Sequence, residues 1–172
     1  RGAAARRRLR TKLVRPPPPC PARGPRVRCE ALLTGLQAPG GPATAHVTIT
    51  NAGTLPVATL DLWSTVCKAS AAAASKPAGA NLCTGTWLTL HDDNHDLCYF
   101  PVKAQGACTT AVHGSFSDFV TRHSEKNPLS LSPDHLGGGN VYTMTATIDP
   151  SLGNEAQGQV ADLDFIWQIT NG

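Results

Sequence analysis

Residues 141–148 (VYTMTATI) and 160–169 (VADLDFIWQI) change side-chain character at almost every step, so that Leu163, Phe165 and Trp167 fall on one face and Asp162, Asp164 and Ile166 on the other. A period of two belongs to a strand with one buried face, whereas a helix would space its apolar residues three and four apart. The same alternation runs through 46–50 (HVTIT), which ends at Asn51-Ala52-Gly53, and through 55–63, where Val57, Thr59 and Asp61 oppose Ala58, Leu60 and Leu62. It appears again in TWLTL at 86–90. Gly137-Gly138-Gly139-Asn140, Asp149-Pro150 and Gly153-Asn154 are turn chemistry between these runs. Helical turns are expected only at 69–78 and at 115–122 (SFSDFVTR). The fold class that follows is all-β: a jelly-roll-like antiparallel β-sandwich, with an extended arm at its N-terminus. Trp63, Trp87 and Trp167 lie in strand patterns and are expected in the core, not as a platform for stacking sugars.

Six cysteines, Cys20, Cys29, Cys67, Cys83, Cys98 and Cys108, contain no C-x-x-C pair of the kind that grips zinc or exchanges thiols. They read as a disulfide framework, with sequential pairing (20 with 29, 67 with 83, 98 with 108) closing three short loops and other connectivities left open. Disulfides persist in oxidising surroundings, so the expected location is extracellular or at the cell surface. No apolar run reaches the roughly 18 residues that span a bilayer, and no membrane partner is expected. Beginning at Arg1, the chain reads as a processed or partial product whose secretory signal has been removed.

Charge divides the 172 residues into two parts. Residues 1–30 hold ten of the fifteen basic residues against Glu30, a net +9; residues 31–172 carry a net −6. The division suggests a basic, proline-rich arm at 1–30 and one β-sandwich domain at 31–172, a length suited to a single core. An acidic folded part argues against nucleic acid as its partner. In the arm, Leu9, Thr11 and Leu13 alternate with Arg8, Arg10 and Lys12, and four prolines follow at 16–19. That is a strand with one apolar and one charged edge, joined to a stiff polyproline spacer.

Residues 47–62, VTITNAGTLPVATLDL, resemble the strand, Asn-x-Gly-Thr-Leu-Pro, strand block of the TasA/camelysin family of secreted fibre-forming proteins. Residues 141–168 are similar to that family's closing pattern: a Tyr-Thr-x-Thr strand from Tyr142, the Asp149-Pro150 turn, the Gly153-to-Gly158 turn GNEAQG, and a strand ending in Phe165, Trp167 and Gln168. The resemblance implies a jelly roll that polymerises head to tail into a helical filament of copies of itself. In such filaments the N-terminal segment of one subunit completes a sheet of its neighbour. Leu9, Thr11 and Leu13 are then the candidate donor strand, and the partner is another copy, not a small-molecule substrate. The arginine- and proline-rich head differs from the family's usual N-terminal segment.

For catalysis the most suggestive run is His91-Asp92-Asp93-Asn94-His95-Asp96. Histidines four apart share a helix face in H-E-x-x-H zinc sites, but here the Glu base is missing and the flanking sequence is strand, so a turn is expected. Asp92, Asp93, Asn94 and Asp96 offer the hard oxygens calcium prefers, without EF-hand spacing, and calcium is the one cofactor they suggest. No G-x-S-x-G elbow is present, and Gly137–Asn140 precedes a strand, not a helix N-terminus that binds phosphate. His46, His113, His123 and His135 read as isolated. The expectation is a structural subunit and not an enzyme. The alternatives are a jelly-roll capsid protein with an Arg-rich arm on nucleic acid, and a camelysin-like secreted metalloprotease.

Overall fold

The computed structural model describes residues 20–21, 28–31, 41–51, 54, 56–71, 81–109, 111–134, 136–152 and 159–171. Two sheets form the body. The larger has six strands in the order β1 (Cys20–Pro21), β3 (Pro42–Thr50), β10 (Asn140–Ile148), β6 (Thr86–Asp92), β7 (Leu97–Phe100) and β8 (Ala104–Gln105). The smaller has four, in the order β2 (Arg28–Ala31), β12 (Phe165–Asn171), β4 (Val57–Ser64) and β9 (Leu129–Leu131). A two-stranded ribbon pairs β5 (Lys68–Ala71) with β11 (Gln159–Asp162). Every pairing between these strands is antiparallel except that of β1 with β3. The chain crosses repeatedly from one sheet to the other, as between β3 and β4 and between β9 and β10, which is jelly-roll-like connectivity. The all-β sandwich expected from the alternation is the fold observed. Both β1 and β2 lie within the first 31 residues, so the end of the basic head contributes to both sheets.

The alternation of residue type becomes the alternation of burial. On β10 and β6 every second residue is buried, and the inward set, Tyr142, Met144 and Ala146 with Leu88 and Leu90, meets Leu60, Leu62, Phe165, Trp167 and Ile169 of the facing sheet. Tyr142 packs its ring at 5.0 Å from that of Trp167, and Phe119 lies edge-on to both Phe100 and Phe165. Burial holds the Tyr142 phenol well above its ordinary pKa, and its hydroxyl donates to the Ser132 carbonyl.

The 160–169 run is two strands, with the break at Leu163-Asp164, yet the expected faces hold: Leu163, Phe165 and Trp167 are buried. The helix expected at 115–122 is α2 (Phe116–Arg122), started by a capping box in which the Ser115 hydroxyl accepts from the Asp118 N–H and the Asp118 carboxylate accepts from the Ser115 N–H. Those bonds to Ser115 hold the Asp118 carboxyl below its usual value. The helical turn expected at 69–78 is not where it begins: residues 68–71 are strand β5, because β11 offers their backbone a partner, and 72–80 lie outside the described residues. A short helix, α1 (Leu82–Gly85), starts instead at Asn81, whose side chain accepts from the Cys83 N–H. At the turn into β10, Gly139 has φ +89°, a conformation that favours glycine.

Two of the expected disulfides are formed, Cys67–Cys83 and Cys98–Cys108; the Cys20 and Cys29 side chains lie outside the described residues. Such bridges require oxidising surroundings. In the chain-entropy account, a loop the size of the 16-residue one closed by Cys67–Cys83 contributes about 3 kcal/mol. The double variant Cys67→Ala/Cys83→Ala is therefore expected to lose about that much in urea denaturation, with the fold retained by circular dichroism.

His123 gives a pH signature. Burial beside Phe100 and Phe119, with the Arg122 cation adjacent, pushes its imidazole below the ordinary value. As pH falls through about 6.5 the unfolded chain takes up that proton first, so stability is full above this range and declines below it. In urea titrations, His123→Leu is expected to flatten the pH dependence between about pH 7 and pH 5; an unchanged slope would assign it to other histidines.

Candidate functional site

The polar run at 91–96 is the turn between β6 and β7, as its flanking sequence implied. A register shift between Leu90 and His91 and a left-handed Asp96 (φ 49°) let the chain reverse here. At its centre the Asp92 carboxylate is fully buried. One oxygen accepts the backbone N–H groups of Asn94 and His95 at 3.1 and 3.2 Å; the other accepts the Asn140 side-chain amide at 3.0 Å and lies 2.8 Å from His95 Nδ1. A buried carboxylate is tolerable only with this density of partners, and here they come from the β6–β7 turn and the start of β10.

The other groups fan outward. The Asp93 carboxylate accepts the Thr143 hydroxyl at 2.6 Å and lies 2.9 Å from His91 Nδ1, while His91 Nε2 lies 3.2 Å from Asp96. Asn94 accepts the Val141 N–H at 2.8 Å, and the Gln105 amide donates to the His95 and Asp96 carbonyls. His46 joins from β3, its Nδ1 2.8 Å from the Thr143 hydroxyl and 3.9 Å from Asp93.

His91 and His95 therefore serve different carboxylates and do not converge as a pair of metal ligands. Asp92, Asp93, Asn94 and Asp96 are likewise turned to different partners, and among the described residues no three His, Cys, Asp or Glu side chains are placed to hold a metal ion. The arrangement ties the β6–β7 turn to β10 and β3. Sequence reading isolated His46 and passed over Thr143, Asn140 and Gln105. Only the strand register, which sets His46, Thr143 and His91 in one cross-strand row, brings them together.

A second feature is an open sheet edge. The nine-residue strand β3 is flanked on one side by β10 along almost its whole length. On its other side β1 pairs only with Ile49 and Thr50, and among the described residues positions 42–48 of that edge have no strand partner. The candidate donor residues Leu9, Thr11 and Leu13 lie outside the described residues.

Trp87 and His113 form a third. Trp87 is half-buried on the outward face of β6, its ring stacked on His113 at 3.7 Å and 10° from parallel, so of the three tryptophans only Trp63 and Trp167 are in the core. An outward position on a strand whose inner face is already filled by Leu88 and Leu90 leaves the indole to pack on a loop instead.

No protein-family model and no curated protein matches this chain.

Because Asp92 holds four groups together, Asp92→Ala, which strands the Asn140 amide and two backbone N–H groups, is expected to cost about 3 to 5 kcal/mol in chemical denaturation. Asp93→Ala, at the exposed rim, is expected to cost less than about 1 kcal/mol.

Proposed function

We propose that the protein is the structural subunit of an extracellular filament, polymerising head to tail by donation of its N-terminal strand to the sandwich of the next copy. The observation that carries this reading is the outer edge of β3, which among the described residues is paired at two of its nine positions. An edge of this kind presents a row of unpaired N–H and C=O groups, and an extended segment from another chain satisfies them.

The chain's own head is poorly suited to the task. Continued toward the N-terminus, the parallel register of β1, Cys20 with Ile49, would set the prolines at 16–19 against residues 45–48. Proline has no N–H to give to a ladder. A segment with strand alternation ahead of a stiff spacer suits pairing with a neighbour, and the alternating Leu9, Thr11 and Leu13 supply one. The contact is heterologous and does not close on itself, so it propagates as a fibre. Opposite charges on the head and the body, +9 and −6, favour the encounter of one subunit's head with another's sandwich. The two block resemblances to the TasA/camelysin family and the two disulfides agree with a secreted protein of this kind.

Removal of residues 1–15 is expected to leave a folded monomer by sedimentation and no fibres by electron microscopy. A synthetic peptide of residues 6–15, added in excess to the intact protein, is expected to shorten the fibres by occupying the β3 edge. Fibres of normal length from the truncated protein would falsify strand donation.

A further inference from the structure

The outward face of the six-stranded sheet has an unusual composition. On β3, β10 and β6, threonine is the commonest outward residue, with Thr44, Thr48, Thr89, Thr143, Thr145 and Thr147; His46 and His91 flank Thr143, and no outward position is Lys, Arg, Asp or Glu. The register aligns them: Thr145 stands between Thr44 and Thr89, and its hydroxyl is 3.3 Å from that of Thr44. In a pleated sheet, these side chains repeat about every 4.8 Å across strands and about every 6.7 Å along them, giving a grid of methyl and hydroxyl groups. At one end of the grid the Asp93 carboxylate, just past β6, accepts the Thr143 hydroxyl and faces His91 and His46; at the other, Asp149 follows the end of β10.

At one end the grid runs into a recess of about 130 Å³, between the Trp87–His113 stack and Thr145 and Thr147, with Val112 and Thr109 opposite. The segment that carries His113 is fixed there. The Leu88 N–H donates to the Gly114 carbonyl, and a Cβ at Gly114 would come within 2.6 Å of the Phe100 ring, so only glycine allows the approach.

We propose that this face binds a neutral polysaccharide, with one sugar unit seated in the recess against Trp87 and the chain continuing over the threonine grid. An aromatic wall with methyl groups suits the C–H face of a sugar ring, and the hydroxyls suit its edges. No Lys or Arg lies on the grid, and its two imidazoles, His46 and His91, face the Asp93 carboxylate, so a phosphate or carboxylate polymer meets no guanidinium or ammonium there. With hydroxyls in place of large apolar side chains it lacks the core of a stable protein interface. The recess, on β6 and β10, uses no residue of the β3 edge, so its test stands or falls independently of the filament reading.

The test uses the intact protein with cellohexaose and chitohexaose, followed by tryptophan fluorescence and calorimetry, and with microcrystalline cellulose in a sedimentation assay. Binding to at least one of the three is expected, unchanged between about 0.05 and 0.5 M salt because no Lys, Arg, Asp or Glu lines the recess. Trp87→Ala is expected to weaken it about tenfold or more, as loss of an aromatic anchor does. Thr145→Lys, an outward substitution that leaves the core untouched, is expected to do the same while circular dichroism stays unchanged. No binding to any of the three probes overturns the proposal, as does binding that survives both substitutions or that disappears with salt. A change from associated to single copies in Thr145→Lys without any sugar also overturns it, making the face a contact between copies.

Discussion

Everything on the larger sheet is aligned by β10. Its eight consecutive pairs with β3 and seven with β6 fix which side chains of three strands point inward, and the period of two leaves no freedom afterwards: a slip of one residue would exchange the two faces. Tyr142, Met144 and Ala146 then belong to the core, and Thr143, Thr145 and Thr147 to solvent. The buried bond from Asn140 to Asp92 pins the start of this strand to the end of β6. A register error would leave that carboxylate buried without its partner, which penalises the slipped pairing more than apolar contacts alone could.

The strands and their faces were legible in the sequence because alternation is a local property. Residues 46–50, 86–90 and 141–148 all lie inside observed strands, and the capping box at Ser115 and Asp118 marks its helix from four residues. What was not legible depends on chain segments far apart. β5 forms where an alanine-rich run suggested a helix, because residues 159–162 pair with it from some ninety positions away. His46 reads as isolated until β10 carries Thr143 between it and His91. Trp87 has the sequence environment of a core tryptophan, and nothing local says that its neighbours on the strand fill the core instead. The polar run at 91–96 was legible as a turn, but the commitment of each carboxylate to a separate partner was not.

The distribution of charge acquires a spatial meaning in this fold. The basic residues are concentrated at the N-terminus of the sequence, and on the outward face of β3, β10 and β6 no strand position is Lys, Arg, Asp or Glu. Under the proposed readings the head would act at the β3 edge and a neutral polymer at the recess of β6 and β10, so the two contacts would use different residues.

The Cys67–Cys83 bridge encloses the stretch at 72–80 within a covalent ring. A protease that cuts inside this ring opens a loop and separates nothing: β4 and β6, on opposite sides of the cut, stay joined through sulfur. A chain nicked there keeps β4, β5 and β6 on one covalent molecule.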